Sequence, residues 1–487
     1  MKLKRDLRYV VEPSDTTKVV RFHDFQGKEH TCQIRDYSRT GLSFVMEEGS
    51  LIFKIGDIIK DLRFYSQDRE IFKGQAHIIH IQEEEEEYDK LISRVGCSFS
   101  DNFLDVYSII RVDKVTRLQN EFMDFVQSMA IEEGLDPEFV NLTSRLHYVF
   151  AGFQEKLTKE EESINKESEE LIPILRETLR DLAYDALRDE LSRYYDHLSK
   201  VTSRFADSKL HYIHKEFFQK RLHPFLLKSK LFNRAFEKPL GYAGDYEMMN
   251  IIYRNDFEGD DVFSQIMNKI DCDGSGARAV RNRRSYLYDK IMKTMEKGMY
   301  TGEGALKIMS VACGPAMEVY DVLVSLKGKR LSREVEFIGI DQDRNAINDA
   351  SSRIDPLCKG RSDFKVKLLE DNIKRLIVGK EVNNEMYKGI NLIYSAGLFD
   401  YLSERASMRL VNRLYNFLAP DGLLIIGNFG SYNPQRFIME YGAEWYLFHR
   451  SEEDLKALAS GVPEDASMEV EREPEGVNLF LNIRKPG

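Results

Sequence analysis

From Lys2 to about residue 115, apolar residues alternate with polar ones in short runs broken by turn residues. These runs are Lys18-Val-Val-Arg-Phe22, Thr31-Cys-Gln-Ile34, Gly41-Leu-Ser-Phe-Val45, Gln75-Ala-His-Ile-Ile-His-Ile81 and Leu91-Ile-Ser-Arg-Val95. A period of two puts one face of each run in a core and the other in water, which predicts the strands of a small antiparallel β-barrel. The five glutamates Glu83 to Glu87 fall between two runs, where mutual repulsion favours a solvated hairpin tip.

From residue 116 to 235 the period becomes helical, as in Leu171, Leu175, Leu179, Leu182, Leu187 and Leu191. This predicts a helical middle whose apolar stripe serves either core packing or a homodimer seam. Lys159 to Glu170 reads as a linker or an exposed helix, and Pro173 as the start or kink of the next helical stretch. Within residues 236–487, strand runs alternate with amphipathic helices: Lys307–Ala312, Val335–Ile340, Phe364–Leu369, Gly389–Tyr394 and Gly422–Gly427. That alternation implies a doubly wound, mostly parallel α/β sheet. A helix from Glu452 to Ala459, then Ser467–Glu471 and Val477–Ile483 around Pro474-Glu-Gly476, predicts a closing antiparallel hairpin.

Composition narrows the setting. A chain of 487 residues exceeds what one core organises, so a multidomain protein is expected. A net charge of −11 excludes non-specific binding to a nucleic acid polymer. The cysteines Cys32, Cys97, Cys272, Cys313 and Cys358 lack CxxC spacing, which argues against a disulfide framework or a metal site. With no bilayer-length apolar run and no secretory pattern in MKLKRDLRYVV, a cytoplasmic location is expected.

The parallel sheet closed by a hairpin resembles the class I methyltransferase fold, which implies S-adenosylmethionine as cofactor. The loop after the first strand, Ser310-Val-Ala312-Cys313-Gly314-Pro315-Ala316, keeps the central glycine of the fold's acid-x-Gly-x-Gly-x-Gly pattern and has alanine at the flanking two positions. Ser310 stands where that pattern has an acid, and Glu318 is a candidate replacement. Asp341, followed by Gln342, ends the second strand, where a carboxylate can accept hydrogen bonds from ribose hydroxyls. Asp371 and Asn372 follow the third strand, as adenine contacts or as a helix N-cap.

The fourth strand leads into Tyr394-Ser395-Ala396-Gly-Leu-Phe-Asp-Tyr401, at the edge that faces the sulfonium methyl in such folds. This segment, with Pro239-Leu-Gly-Tyr242-Ala-Gly-Asp245-Tyr246-Glu-Met-Met-Asn250 and Ala279-Val-Arg281-Asn-Arg283-Arg284-Ser-Tyr286, resembles bacterial proteins of 3-hydroxypalmitic acid methyl ester biosynthesis. The resemblance covers roughly residues 205–487. It implies methyl transfer to the carboxylate of a fatty-acid-like small molecule, giving a diffusible, quorum-sensing type of ester. Tyr242, Asp245, Tyr246, Arg284 and Tyr394 are the expected acceptor and catalytic residues, with Arg281 or Arg283 as other carboxylate holders. Read without the resemblance, Asp245 caps a helix and the arginines form a solvated face.

Residues 1–115 resemble a PilZ domain, a receptor module for cyclic di-GMP. Asp36-Tyr-Ser38-Arg-Thr-Gly41 fits its Asp/Asn-x-Ser-x-x-Gly motif; Lys4 and Arg8 stand at the spacing of its Arg-x-x-x-Arg pair, with lysine in place of the first arginine and Arg5 as its substitute on a one-residue shift. The alternative is a structural barrel with a tight turn and Gly41 at positive φ. For the whole chain the leading expectation is a methyltransferase regulated by cyclic di-GMP. The alternatives are an adaptor whose methyltransferase fold is a binding module, and a receptor signalling through the helical middle.

Overall fold

The computed structural model describes all residues except 1–7, 12–14, 48–51, 67–68, 87–89, 101, 112, 117, 119–121, 123–133, 206–207, 300–303 and 379–384. Contacts divide the chain into two compact units, Met1–Glu133 and Gly134–Gly487.

In the first unit β1 (Tyr9–Val10), β2 (Lys18–His23), β3 (Glu29–Ser38), β4 (Gly41–Glu47), β5 (Ile58–Ser66), β6 (Arg69–Glu86) and β7 (Lys90–Phe99) are ordered β1-β3-β2-β5-β6-β7-β4. An added β3–β4 pairing closes β2 to β7 into a six-stranded antiparallel barrel. Val20, Phe22, Ile34, Phe44, Leu62, Phe64 and Val95 fill it. Strand β5 has no clean alternation in sequence because a bulge between Ile59 and Leu62 shifts its register. Glu83 to Glu86 do not form the hairpin tip; they extend β6 in register with Lys90 to Ser93, so pairing overrides charge. Gly41 is not at positive φ. A Cβ there would lie 2.3 Å from the Cys97 carbonyl oxygen, so the glycine serves close strand approach.

The second unit begins with the helices α1 (Pro137–Ile164), α2 (Leu171–Thr202), α3 (Ser208–Leu226), α4 (Lys230–Glu237), α5 (Tyr246–Arg254), α6 (Val262–Cys272) and α7 (Ser275–Gly298). Asp136 caps α1 through its carboxylate, and Pro173 lies in the first turn of α2. The leucine stripe of α2 divides: Leu187 and Leu191 are fully buried, whereas Leu171 and Leu182 are exposed. The buried half shares one core with α3 to α7 and with Phe429, Phe437 and Trp445.

The sheet comprises β8 (Leu306–Val311), β9 (Val335–Asp341), β10 (Phe364–Glu370), β11 (Ile390–Ser395), β12 (Leu418–Phe429), β13 (Ser467–Arg472) and β14 (Asn478–Arg484). Its order is β10-β9-β8-β11-β12-β14-β13, parallel from β10 to β12 and antiparallel in the closing hairpin. Helices α8 (Met317–Ser325), α9 (Arg344–Cys358), α10 (Ile373–Val378), α11 (Glu404–Phe417), α12 (Arg436–Gly442) and α13 (Glu452–Ala457) connect the strands. The protein is therefore multidomain: an antiparallel barrel, a helical middle and a doubly wound, mostly parallel α/β sheet closed by an antiparallel hairpin. Among the described residues no helix is long and apolar enough to cross a membrane.

Candidate functional site

Parallel strands all point their carboxyl ends to one edge, and the loops there can approach a ligand. After β8, Ala312, Gly314 and Ala316 adopt φ of 55°, 52° and 47°, the left-handed region. Alanine takes this conformation at a cost of about 1–2 kcal/mol per residue, so the loop holds a glycine-type shape with only one glycine. Cys313 and Pro315 are buried beneath it, and the Cys313 N–H donates to the Ile340 carbonyl at 3.0 Å.

Asp341 ties this loop to β9. Its Oδ2 accepts the Gly314 N–H at 2.8 Å and its Oδ1 accepts the Asp343 N–H at 2.9 Å. Burial raises its carboxyl above the ordinary range against the lowering effect of these bonds. Asp343 caps α9 through Oδ1, and its buried Oδ2 has no hydrogen-bond partner among the described residues. Leu240, Tyr242, Gln342, Asp343, Glu370, Asp371, Asn372 and Arg375 line an open cleft of about 530 Å³. Asp371 also accepts the Asn372 N–H at 2.8 Å and an Arg375 N–H at 3.2 Å. The structure thus gathers Tyr242, Gln342, Asp371 and Asn372 in one cleft, and burial followed by the charges of Asp341 and Asp343 raises the Tyr242 hydroxyl.

The other expected residues are engaged elsewhere. Tyr394 does not face the cleft: it is 1% exposed and donates from its hydroxyl to Glu318 at 2.7 Å. Glu318, expected at the cofactor, is buried in the first turn of α8, with its carboxyl raised by desolvation. Ser395 donates to the Val311 carbonyl at 2.9 Å and so spends its hydroxyl on the sheet. Asp245 is the N-cap of α5, accepting the Met248 N–H at 2.8 Å and Arg234 at 2.7 Å, which is the capping alternative. Tyr246 opens α5 at intermediate burial. Arg284 forms two bonds of 2.6 Å to Asp321, and Arg281 donates to the Cys272 carbonyl at 2.6 Å. Arg283, 7% exposed, donates to the Ala396 carbonyl at 3.1 Å and lies 3.1 Å from Met249 Sδ.

Sequence reading gave no role to Asp400 and Tyr401 at the end of the motif after β11, nor to Trp445 and Arg450, which a distant segment supplies. Tyr401 accepts the Trp445 indole N–H at 2.9 Å and packs edge-on against Tyr242, with ring centroids 6.3 Å apart. Arg450, 6% exposed, donates to the carbonyls of Phe399 and Leu402 at 2.7 Å and to Asn428. Asp400 beside it is pushed up to about 6 by burial, although it accepts the Phe429 N–H at 2.7 Å.

In the barrel, Asp36 is 3% exposed. It accepts Arg8 Nη1 at 2.7 Å and Ser43 Oγ at 2.7 Å, and it also pairs with Arg94 from β7. Ser38 lies 3.3 Å from the Gly41 carbonyl. Lys4 and Arg5 lie outside the described residues. Arg94 follows the motif by more than fifty positions, and only barrel closure reveals it.

Residues 16–110 match the family model of the PilZ domain. No curated protein matches the sequence. Among solved structures the chain is similar to a possible exported protein from Bordetella parapertussis (15% identity, 62% of this chain and 97% of that one, TM-score 0.38). It is also similar to magnesium protoporphyrin IX methyltransferase from Synechocystis PCC 6803 with bound SAH (9%, 53% and 100%, 0.34). A third is N-methyltransferase NodS from Bradyrhizobium japonicum WM9 (15%, 42% and 98%, 0.28).

Proposed function

We propose that residues 134–487 form an S-adenosylmethionine-dependent methyltransferase acting on the carboxylate of a fatty-acid-like small molecule, and that the barrel is its cyclic di-GMP receptor. The observation that carries the first part is the coupling of Asp341 to the left-handed loop through the Gly314 N–H. Each Asp341 oxygen uses one lone pair on the backbone, which leaves acceptor capacity for a ribose diol. Asp343, Glu370 and Asp371 outnumber Arg375 in the cleft lining, which suits a sulfonium over a diphosphate, although Glu370 and Asp371 are themselves paired with Arg344 and Arg375.

The cofactor, when bound, supplies an electrophilic methyl group. The chain's own contribution is alignment and exclusion of water: Asp341 fixes the loop, and Tyr242 with Tyr401 and Trp445 forms an aromatic wall beside the cleft. A carboxylate acceptor is ionised at neutral pH, so transfer needs orientation and desolvation and no general base. For the barrel, Arg8 and Arg94 provide guanidinium groups suited to phosphates and guanine faces, with Asp36 and Ser38 beside them. Incubating the full chain with methyl-labelled S-adenosylmethionine and a bacterial lipid extract should give organic-soluble label that alkali releases as methanol. Absence of label from lipids, acids and protein would overturn the proposal.

A further inference from the structure

The three arginines of one α7 stretch have different partners. Arg284 is neutralised bidentately by Asp321. Arg281 sits on the Cys272 carbonyl, with an Asp273 oxygen 3.8 Å away. Arg283 is the most enclosed at 7% exposure, yet among the described residues no carboxylate comes within 4.0 Å of it. Its terminal nitrogens rest on a backbone carbonyl and a thioether, which is a weak acceptor, and the Tyr253 hydroxyl is a further neighbour. The Glu318 and Asp400 carboxylates are within electrostatic range but do not bond it. A buried guanidinium without a bonded carboxylate is costly, and it has five N–H donors in a fork suited to one.

Its surroundings favour such a ligand. The guanidinium lies against Gly397, where a Cβ would be 3.2 Å from Nη2, in the loop that follows β11 at the carboxyl edge of the sheet. One helical turn from Arg283 and from Met249 stand Val280 on α7 and Ile252 on α5. Both line a small cavity of about 40 Å³ together with Leu231, Phe232, Phe429, Trp445 and the polar Asp271 and Gln435.

We propose that Arg283, and not Arg284, is the carboxylate anchor of this site. The inference rests on the methyltransferase reading and deepens it. The carboxylate comes either from the amino-acid end of the cofactor or from an apolar monocarboxylic acceptor.

The test compares full-length wild type with Arg283→Gln and Arg283→Lys by calorimetry, with folding checked by thermal unfolding. The probes are S-adenosylhomocysteine, 5′-methylthioadenosine (which lacks the amino-acid end), and laurate and dodecanol in the presence of S-adenosylhomocysteine. If the cofactor supplies the carboxylate, Arg283→Gln weakens S-adenosylhomocysteine by at least about 30-fold and leaves 5′-methylthioadenosine unchanged. If the acceptor supplies it, laurate weakens by that factor while S-adenosylhomocysteine and dodecanol are unchanged. In either case Arg283→Lys, which keeps the charge and loses the fork, recovers part of the loss. All four probes binding the folded variants as they bind wild type would overturn the inference and leave the methyltransferase reading standing. Wild type binding neither S-adenosylhomocysteine nor laurate would overturn both.

Discussion

Asp341→Asn separates the ligand role of this residue from its structural one. The carboxylate accepts two backbone N–H groups, from Gly314 at 2.8 Å and Asp343 at 2.9 Å. Asparagine keeps the shape and one acceptor oxygen, so one N–H faces an amide NH2 group. Losing a hydrogen bond to a charged group costs about 1.5–3 kcal/mol, partly offset because the buried carboxylate no longer needs desolvating. The unfolding midpoint should therefore fall by only a few degrees. For the ligand, the ribose hydroxyls lose their charged acceptor, which at about 1.5–3 kcal/mol weakens binding about 10- to 150-fold. Titration calorimetry with S-adenosylhomocysteine, paired with thermal unfolding, measures both. Wild-type affinity in a folded Asp341→Asn variant would refute the placement of the ribose. Alanine is a poorer probe, because it releases the loop as well.

Asp271 is buried and raised to about 8 by desolvation, against an ordinary 3.8, and its Oδ2 has no partner among the described residues. The folded state therefore binds more protons between these values, and this group's contribution to stability is greatest at low pH and falls as pH rises towards 8. From pH 6 to 9 wild type should lose on the order of 2–3 kcal/mol more than Asp271→Asn, and parallel pH profiles in urea unfolding would contradict this. Arg450→Met leaves the Phe399 and Leu402 carbonyls buried without their donor and should cost about 3–5 kcal/mol; an unchanged urea midpoint would refute its bracing role. Arg94→Ala should weaken cyclic di-GMP roughly tenfold and reduce the salt dependence of binding, read by calorimetry. Equal binding by wild type and variant would remove Arg94 from the barrel site.

The fold was largely legible because buried strands of a parallel sheet are continuous apolar runs: β8 to β12 lie where Ile308, Phe337, Phe364, Leu392 and Leu424 predict them. The barrel strand β5 was not legible, since its bulge breaks the alternation. At the proposed cofactor site, the loop and Asp341 were visible through local spacing, but their hydrogen bond was not. Other motif residues have partners that local spacing does not reveal. Tyr394 lies on a strand whose alternation turns it into the core beside Glu318, and Arg284 is claimed by Asp321, a residue on another helix with no signature in spacing. Arg94, Arg450 and Trp445 become neighbours of their sites only through chain closure over long separations.

The decisive measurement is the structure of the chain with S-adenosylhomocysteine bound. The ribose hydroxyls should lie on Asp341, the adenine in the cleft beside Gln342, Asp371 and Asn372, and the homocysteine end towards the loop at Gly314. Ligand bound away from this edge, or Asp341 without a contact to it, would contradict the assignment of this edge as the cofactor site.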